Sequence, residues 1–269
     1  LFPLHSKQRL LGLEIIEFMQ ANEINHAFVP TVIFHEFSQV FKNLPHGFKL
    51  AVGGEPLRIK KPIGNLNLYN GYGPTENTVV TTIYKIDRKE TGSVSIGKPL
   101  PNVQVYVLND FEQLCPVGVV GELCISGDQL SIGYWNREEL TRELFVNNPF
   151  SEDDRMYKSG DLVKWNSDGT LTFIGRKDNQ IKIRGHRIEL GEIEATIKSN
   201  SSIQEAAVLF DKNQEELVLF YTTSDTISTT ELYTYLTQRS PFYMVPILYQ
   251  KMAAIPITEN GKTNAEELL

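Results

Sequence analysis

A run of chemically versatile side chains occupies Asn70–Glu76, which reads Asn-Gly-Tyr-Gly-Pro-Thr-Glu. Glycines on both sides of Tyr72 would let the backbone approach a ligand closely, and the tyrosine ring offers a flat face for a purine. Asn70 carries a donor and an acceptor for the edge of a base, and Thr75 can hydrogen-bond a phosphate oxygen. Glu76 suits Mg²⁺, which prefers a few carboxylates together with substrate phosphates. The segment could therefore bind a magnesium nucleotide, or it could be an ordinary turn with a solvated glutamate.

Three later segments carry groups that could complete a nucleotide site. Asp161 ends the sequence Ser-Gly-Asp, and its two oxygens could accept both hydroxyls of a ribose, although aspartate is also common in turns for local reasons. Residues 176–187 contain several basic side chains and Asp178 as the single acid, so this stretch could face phosphate or be a solvated charged strand. Lys262 lies in Asn-Gly-Lys, where a solvated surface lysine is the ordinary expectation.

Composition limits the class of protein. The 269 residues are 41% hydrophobic and 22% charged with a net charge of -7, which indicates a globular protein and gives no sign of a nucleic-acid partner. Neither a signal-like start nor an apolar run of membrane length is present. The two cysteines, Cys115 and Cys124, argue against a disulfide scaffold and are compatible with the cytoplasm. Because the chain opens at Leu1 without methionine, we expect it to begin within a longer protein.

The pattern of apolar residues divides the chain into three parts. Up to about residue 100, helical spacing alternates with short apolar runs, which predicts an α/β layer with a parallel sheet. From about 101 to 177, alternating apolar residues and the turn Ser167–Gly169 predict an antiparallel sheet or small barrel. From 178 onwards the pattern predicts a compact α+β unit. The predicted helices are 7–22, 31–42, 137–144, 191–199 and 229–239. The predicted strands are 24–29, 49–52, 66–69, 79–85, 103–107, 119–126, 162–166, 171–174, 181–188 (a strand–turn–strand with Gly185 at the turn), 205–210 and 216–222.

Taken together, these motifs resemble those of the adenylate-forming enzymes, and within them the amino acid adenylation domains of nonribosomal peptide synthetases. The resemblance is most specific in Arg-Gly-His-Arg-Ile-Glu-Leu-Gly-Glu-Ile-Glu at 184–194, and it extends through Val52–Leu57, Ser95–Asn102 and Gly121–Gly127. It implies the back part of the large adenylation subdomain over 1–177, with an α/β layer to about 100 and a distorted antiparallel β-barrel beyond it. A small mobile α+β subdomain would follow at 178–269.

The resemblance also implies a role for each site residue. Nucleotide contacts would come from five positions: Asn70, Tyr72, Thr75, Asp161 and Arg176. Glu76 would hold Mg²⁺, and Lys262 would bridge the acyl carboxylate and the ribose side of ATP, with Thr75 and Glu76 completing the catalytic group. Asp178 matches the hinge of the small subdomain, and Gly185 matches a position beside the thiol-bearing arm.

The resemblance to this family also implies which residues line the substrate pocket, because their positions match the family's pocket positions. Its members are small or aliphatic and none is charged: Ala27, Ala51, Gly53, Gly71, Val79 and Val80. Such walls leave room for a bulky apolar side chain. We therefore expect a hydrophobic amino acid as the substrate.

The reaction implied is activation of that amino acid by ATP and Mg²⁺ as aminoacyl-AMP, followed by transfer to a phosphopantetheine thiol on a peptidyl carrier domain. The family's phosphate loop and amino-group aspartate would lie upstream of Leu1, in a missing N-terminal half, so we expect no activity from these residues alone. Two alternatives stay open: an acyl- or aryl-CoA synthetase of the same superfamily, and an inactive homologue that docks a carrier. The inactive homologue is disfavoured because a carrier-docking protein would not need all four of the residues Glu76, Asp161, Arg176 and Lys262.

Overall fold

The structure, a computed structural model, describes residues 12–41, 44–45, 47–64, 66–152, 154–177, 180–183, 186–211, 213–257 and 263–269. The chain forms two compact units, Leu1–Asp178 and Asn179–Leu269. Both units combine sheets with helices, which confirms the predicted mixed α/β and α+β class. Among the described residues, no helix is both long enough and apolar enough to cross a bilayer.

The first unit contains three helices, twelve strands and a short 3₁₀ turn at Thr75–Asn77 among its described residues. In chain order they are α1 (Gly12–Ala21), β1 (His26–Pro30), α2 (Thr31–Phe41), β2 (Lys49–Gly53), β3 (Arg58–Ile59), β4 (Asn67–Tyr72), β5 (Thr82–Lys85), β6 (Gly92–Ser93), β7 (Lys98–Pro99), β8 (Val103–Leu108), β9 (Gly121–Gly127), α3 (Glu138–Leu144), β10 (Phe145–Asn147), β11 (Arg155–Trp165) and β12 (Leu171–Arg176).

A five-stranded sheet with the order β1-β2-β4-β5-β7 organises the early part of this unit. The first three of these strands run parallel, as the alternation of strands with helices predicts, and the last two join antiparallel. Leu50, Val52 and Leu68 are completely buried, and Phe34 and Phe41 of α2 belong to the same core. Alternate residues of a strand point to the same side of a sheet. The helices cover the side to which these apolar residues point.

The predicted strand at 79–85 is wrong at its beginning. Thr78 and Val79 have φ angles of 44° and 71°, in the left-handed region, so the strand begins only at Thr82. Residues other than glycine rarely adopt such angles, and sequence patterns do not announce them. The predicted strand at 162–166 is likewise only the end of the longer β11.

A second, wholly antiparallel sheet has the order β10-β11-β9-β8, and β12 pairs with the other part of β11. Its core includes Leu123, Ile125 and Val163, none of which is exposed. The two sheets are linked through β12, because Ile96 donates its N–H to the Leu171 carbonyl and Leu171 donates to Gly97, each at 2.9 Å. The prediction of an antiparallel sheet here is confirmed.

The second unit has its own sheet and core. Its elements are β13 (Gln180–Ile183), β14 (His186–Glu189), α4 (Leu190–Lys198), β15 (Glu205–Asp211), β16 (Glu216–Thr222), α5 (Thr229–Thr237), β17 (Leu248–Lys251) and α6 (Ala265–Leu268), with a 3₁₀ turn at Phe242–Met244. The first two strands form a hairpin, and β16 pairs antiparallel with β15 and parallel with β17. Ile193, Leu219 and Leu232 are fully buried within this unit.

Candidate functional site

Asp161 lies at an irregularity in β11. The register of β11 against β9 shifts between Lys158 and Leu162, and Gly160 has a φ of 71°, which glycine adopts without strain. Ser159 fastens this irregular stretch, because its hydroxyl donates to the Leu123 carbonyl at 2.6 Å and accepts from the Asp161 N–H at 3.1 Å. The irregularity therefore sets the direction in which the aspartate leaves the strand.

The carboxylate of Asp161 binds two other residues that the sequence predicts for the nucleotide site. Arg176, at the end of β12, donates Nη1–H to Oδ1 at 2.6 Å, and the hydroxyl of Tyr72, at the end of β4, donates to Oδ2. Asp161 is only 6% exposed. Burial, and then the negative charge of Asp161, raise the pKa of Tyr72 well above its ordinary value, so the phenol stays protonated and donates. The structure thus brings three predicted residues from three strands into one cluster.

Glu76 lies in the 3₁₀ turn that follows the glycine-rich segment. A side chain at Gly73 would collide with the Val79 carbonyl, so the chain can fold back here only because that residue is glycine. The turn leaves Glu76 only 7% exposed, and the Tyr134 hydroxyl donates to its Oε1 at 2.5 Å. Thr75, by contrast, is exposed.

Tyr134 contacts a predicted site residue, Glu76, and the sequence does not reveal this contact. Burial, and then its hydrogen bond to Glu76, raise the pKa of Tyr134, so its hydroxyl remains a donor. The sequence signal is limited to the pair Gly133-Tyr134, which follows the resembling segment Gly121–Gly127. Its partner Glu76 lies 58 residues earlier, and no local spacing predicts that contact.

The residues around Glu76 fit a Mg²⁺ ion. The described residues contain no group of three or more His, Cys, Asp or Glu that could form an all-protein metal site. They do contain a buried carboxylate beside Asn77, whose Oδ1 is buried without a hydrogen-bond partner while its Nδ2 donates to Thr81 at 2.8 Å. One carboxylate and a neighbouring amide oxygen suit Mg²⁺, which keeps several waters and takes its other ligands from substrate phosphates.

Asn70 is placed differently from the rest of its motif. It is 3% exposed, and its side-chain Nδ2 donates to the Ser95 carbonyl at 2.8 Å. In this structure the amide therefore links β4 to the segment before β7, and this bond uses one of its two N–H donors.

Residues of the predicted substrate pocket fall into two neighbouring groups. Ala27 and Ala51 line a cleft of about 460 Å³ that Tyr69 and Ile83 also border. Further along the same strands, Gly53 lies opposite Gly71 in the sheet register. A Cβ at Gly71 would lie 3.8 Å from Val80, whereas Val79 is 67% exposed.

Three predicted functional residues, Asp178, Gly185 and Lys262, lie outside the described residues. On either side of the segment that contains the lysine, Ile257 and Thr263 form an isolated antiparallel bridge.

Comparison with known proteins gives agreeing results. Residues 4–135 match the family model of the AMP-binding enzyme. Gramicidin S synthase 2 of Brevibacillus brevis is 38% identical over 278 residues, which span 100% of this chain and 6% of that protein. The solved structure of holo-PA1221, an NRPS protein containing adenylation and PCP domains, is 27% identical with a TM-score of 0.78, over 100% of this chain and 47% of that one.

The crystal structure of IdnL1 supports the fold alone. It superimposes with a TM-score of 0.81 at 23% identity and covers 94% of this chain and 55% of its own. The chain thus spans about half the length of these solved proteins and a small part of the synthase. With its motifs, its fold and these matches, the chain belongs to the family of AMP-binding enzymes.

Proposed function

We propose that this chain supplies the nucleotide and magnesium groups of an amino acid adenylation enzyme in nonribosomal peptide synthesis. The observation that carries the proposal is the buried cluster of Asp161 with Tyr72 and Arg176. A carboxylate with one aromatic and one cationic neighbour suits a nucleoside, since it can accept ribose hydroxyls while the charges remain balanced.

Each residue of the cluster has a distinct task. Asp161 would accept the ribose hydroxyls with lone pairs that remain beside its two protein donors. Arg176 would hold that carboxylate and contact the sugar. Tyr72 would present its ring to the purine, and the exposed Thr75 would donate to a phosphate oxygen. Glu76 would hold Mg²⁺, which supplies positive charge opposite the phosphates when bound.

In the first step proposed, an oxygen of the amino acid carboxylate attacks the α-phosphorus of ATP. A P–O bond forms to give aminoacyl-AMP, and the bond to pyrophosphate breaks. Lys262 would stabilise the negative charge on the reacting oxygens as a flexible point charge.

The second step is transfer to a carrier domain. The phosphopantetheine thiol would lose its proton and attack the acyl carbon, so that a thioester forms and AMP leaves. The family resemblance assigns Asp178 to the hinge that separates the two steps and Gly185 to the side of the thiol arm. PA1221, which contains adenylation and PCP domains, supports a carrier domain as the partner.

A hydrophobic amino acid is the proposed substrate. Support comes from the cleft beside Ala27 and Ala51, since small side chains leave volume there and the neighbouring Tyr69 and Ile83 add apolar surface. The lining also includes Lys49 and His26, so the cleft is mainly but not wholly apolar.

Exchange of pyrophosphate into ATP tests this function in the full polypeptide that carries the chain. We expect exchange with Leu, Phe, Tyr or Trp and none with Asp or Lys. Gly71→Ala should shift the preference towards smaller side chains, because its new methyl would lie in van der Waals contact with Val80. Gly191→Ala is the matched control, since a Cβ at Gly191 meets nothing within 4 Å.

Two outcomes would contradict the proposal. Exchange with Asp or Lys and with no hydrophobic amino acid would overturn the substrate class. Thioester formation on free CoA in preference to a carrier thiol would favour the CoA synthetases instead.

A further inference from the structure

The loop Gln129–Tyr134, called here the 129–134 loop, is bonded to the turn that carries Glu76. The Ser131 N–H donates to the Glu76 carbonyl at 2.9 Å, and the Thr78 hydroxyl donates to the Gln129 carbonyl at 2.7 Å. The Tyr134 hydroxyl adds the third bond, to Oε1 of Glu76 at 2.5 Å. Backbone and side chain of the glutamate are therefore both held by one loop.

The loop is itself fastened to the second sheet. Arg155, the first residue of β11, donates from Nη1 to the Ile132 carbonyl and from Nη2 to the Ser131 carbonyl, both at 3.0 Å. Its guanidinium also lies 5.6 Å from the centre of the Phe145 ring. A two-pronged contact of this kind fixes the direction of the loop as well as its distance.

Both the backbone and the side chain of Tyr134 are held by neighbouring residues. Its N–H donates to the Thr141 hydroxyl at 2.9 Å, and Gly133 allows this approach because any side chain there would collide with Thr141. The Tyr134 ring meets Phe145 edge-on with centroids 5.7 Å apart, and its hydroxyl lies 3.5 Å from that of Tyr157. The hydroxyl has therefore lost most of its freedom before it meets the carboxylate, so it can impose an orientation on Glu76.

We propose that Tyr134 is a positioning residue for the magnesium ligand Glu76, and that the 129–134 loop is the support that keeps it in place. This inference rests on the proposed function. Metal-binding carboxylates are commonly oriented by a hydrogen bond from a neighbouring group, and loss of such a bond typically weakens metal binding about 10- to 100-fold.

Tyr134→Phe removes the hydroxyl and leaves the ring. In the full polypeptide, we expect the affinity for Mn²⁺ in the presence of ATP, measured by electron paramagnetic resonance, to fall at least about tenfold. The Mg²⁺ concentration that half-saturates pyrophosphate exchange should rise by a similar factor, while the KM for the amino acid stays unchanged. Tyr106→Phe is the matched control, because it deletes a hydroxyl that accepts from Asn148 at 3.2 Å in the same unit.

Thr141→Val provides a second variant of nearly the same shape. It deletes the acceptor of the Tyr134 N–H and should weaken Mn²⁺ binding in the same direction but by less, since the tyrosine hydroxyl remains. The melting temperatures of all three variants separate a change in metal binding from a loss of folding.

The outcomes distinguish the two proposals. If the wild type binds no metal nucleotide, the proposed function fails and the role of Tyr134 falls with it. If the wild type binds and Tyr134→Phe binds Mn²⁺ as tightly as Tyr106→Phe, only the positioning role is overturned. Equal weakening by Tyr134→Phe and Tyr106→Phe would also overturn it, because the effect would then be structural.

Discussion

At the scale of single residues, Asp161 is the centre of the proposed site. It shares a 2.6 Å ion pair with Arg176, and both side chains are about nine-tenths buried. A carboxylate removed from water to this extent would be costly without donors, and here the guanidinium and the Tyr72 hydroxyl supply them. The pair is therefore held in position before any nucleotide arrives.

The raised pKa values of Tyr72 and Tyr134 predict a loss of stability in alkaline solution. Below pH 10, the ordinary pKa, both the folded and the unfolded chain keep these protons, so the tyrosines add no pH dependence. Above pH 10, the tyrosines lose their protons in the unfolded chain but keep them in the folded chain. The free energy of unfolding should therefore fall by about 1.4 kcal/mol per pH unit for each tyrosine.

Urea denaturation between pH 9 and 11.5 checks this expectation. Burial also raises the pKa of Tyr84, Tyr249 and Cys124, so these groups contribute to the slope of the wild type as well. Tyr72→Phe should show a slope against pH that is shallower by up to one proton, because it removes one of the groups whose pKa is raised. A wild type and a variant with the same slope would show that the Tyr72 phenol does not hold its proton in the folded chain.

At the scale of elements, the irregularity in β11 directs Asp161 out of the regular strand and towards its partners in the proposed site. Regular pairing with β9 on both sides fixes the ends of the strand, and Gly160 and Ser159 lie between them. The same strand carries Arg155 at its beginning and Asp161 near its middle. One element therefore supports both the loop beside Glu76 and the proposed ribose contact.

Gly160→Ala tests this element. The φ of 71° at Gly160 should cost about 1 kcal/mol of stability with alanine and should also tilt Asp161, so ATP affinity should fall about tenfold. Gly169→Ala is a close control, because Gly169 has a φ of 76° in the turn between β11 and β12.

Both variants should lose similar stability in urea, but only Gly160→Ala should bind a fluorescent ATP analogue more weakly. Equal binding by the two variants would show that the bend at Gly160 does not direct the aspartate.

Sequence reasoning succeeds for elements whose signal is local and fails where distant residues meet. The parallel strands, the antiparallel sheet and the helix at Glu138–Leu144 follow from periodicity and are confirmed. The left-handed backbone at Thr78 and Val79 has no signal in the composition, so the sequence does not predict it. The sequence does not single out Tyr134 either, because its partner Glu76 lies 58 residues away. The roles of the site residues remain predictions.

At the scale of the whole molecule, each compact unit contains the apolar residues that it needs. The second unit has two apolar clusters: Leu219 belongs to the larger one, with residues of α4, α5 and the sheet, and Phe220 belongs to the smaller one, with Leu268 of α6. Among the residues that the structure describes, all members of these two clusters belong to the second unit. An enclosed core of this kind allows a unit to fold by itself.

Residues 179–269 expressed alone should therefore unfold in a single cooperative transition, measured by circular dichroism on heating. Leu219→Ala should lower the stability of this piece by about 3 kcal/mol, because the buried side chain would leave a cavity. Thr230→Ala, on the exposed side of α5, should change it little. A piece that melts without a cooperative transition would contradict the independence of the unit.

The hydrogen bond between Tyr72 and Asp161 also has a kinetic consequence. It joins residues 89 positions apart, whereas β8 and β9 are consecutive antiparallel strands of one sheet. Closing a loop of that length costs about 4 kcal/mol of chain entropy before any contact offsets it. Long-range closures of this kind come late in folding. In the full polypeptide, refolding should therefore restore the circular dichroism of the sheets before it restores the proposed nucleotide binding.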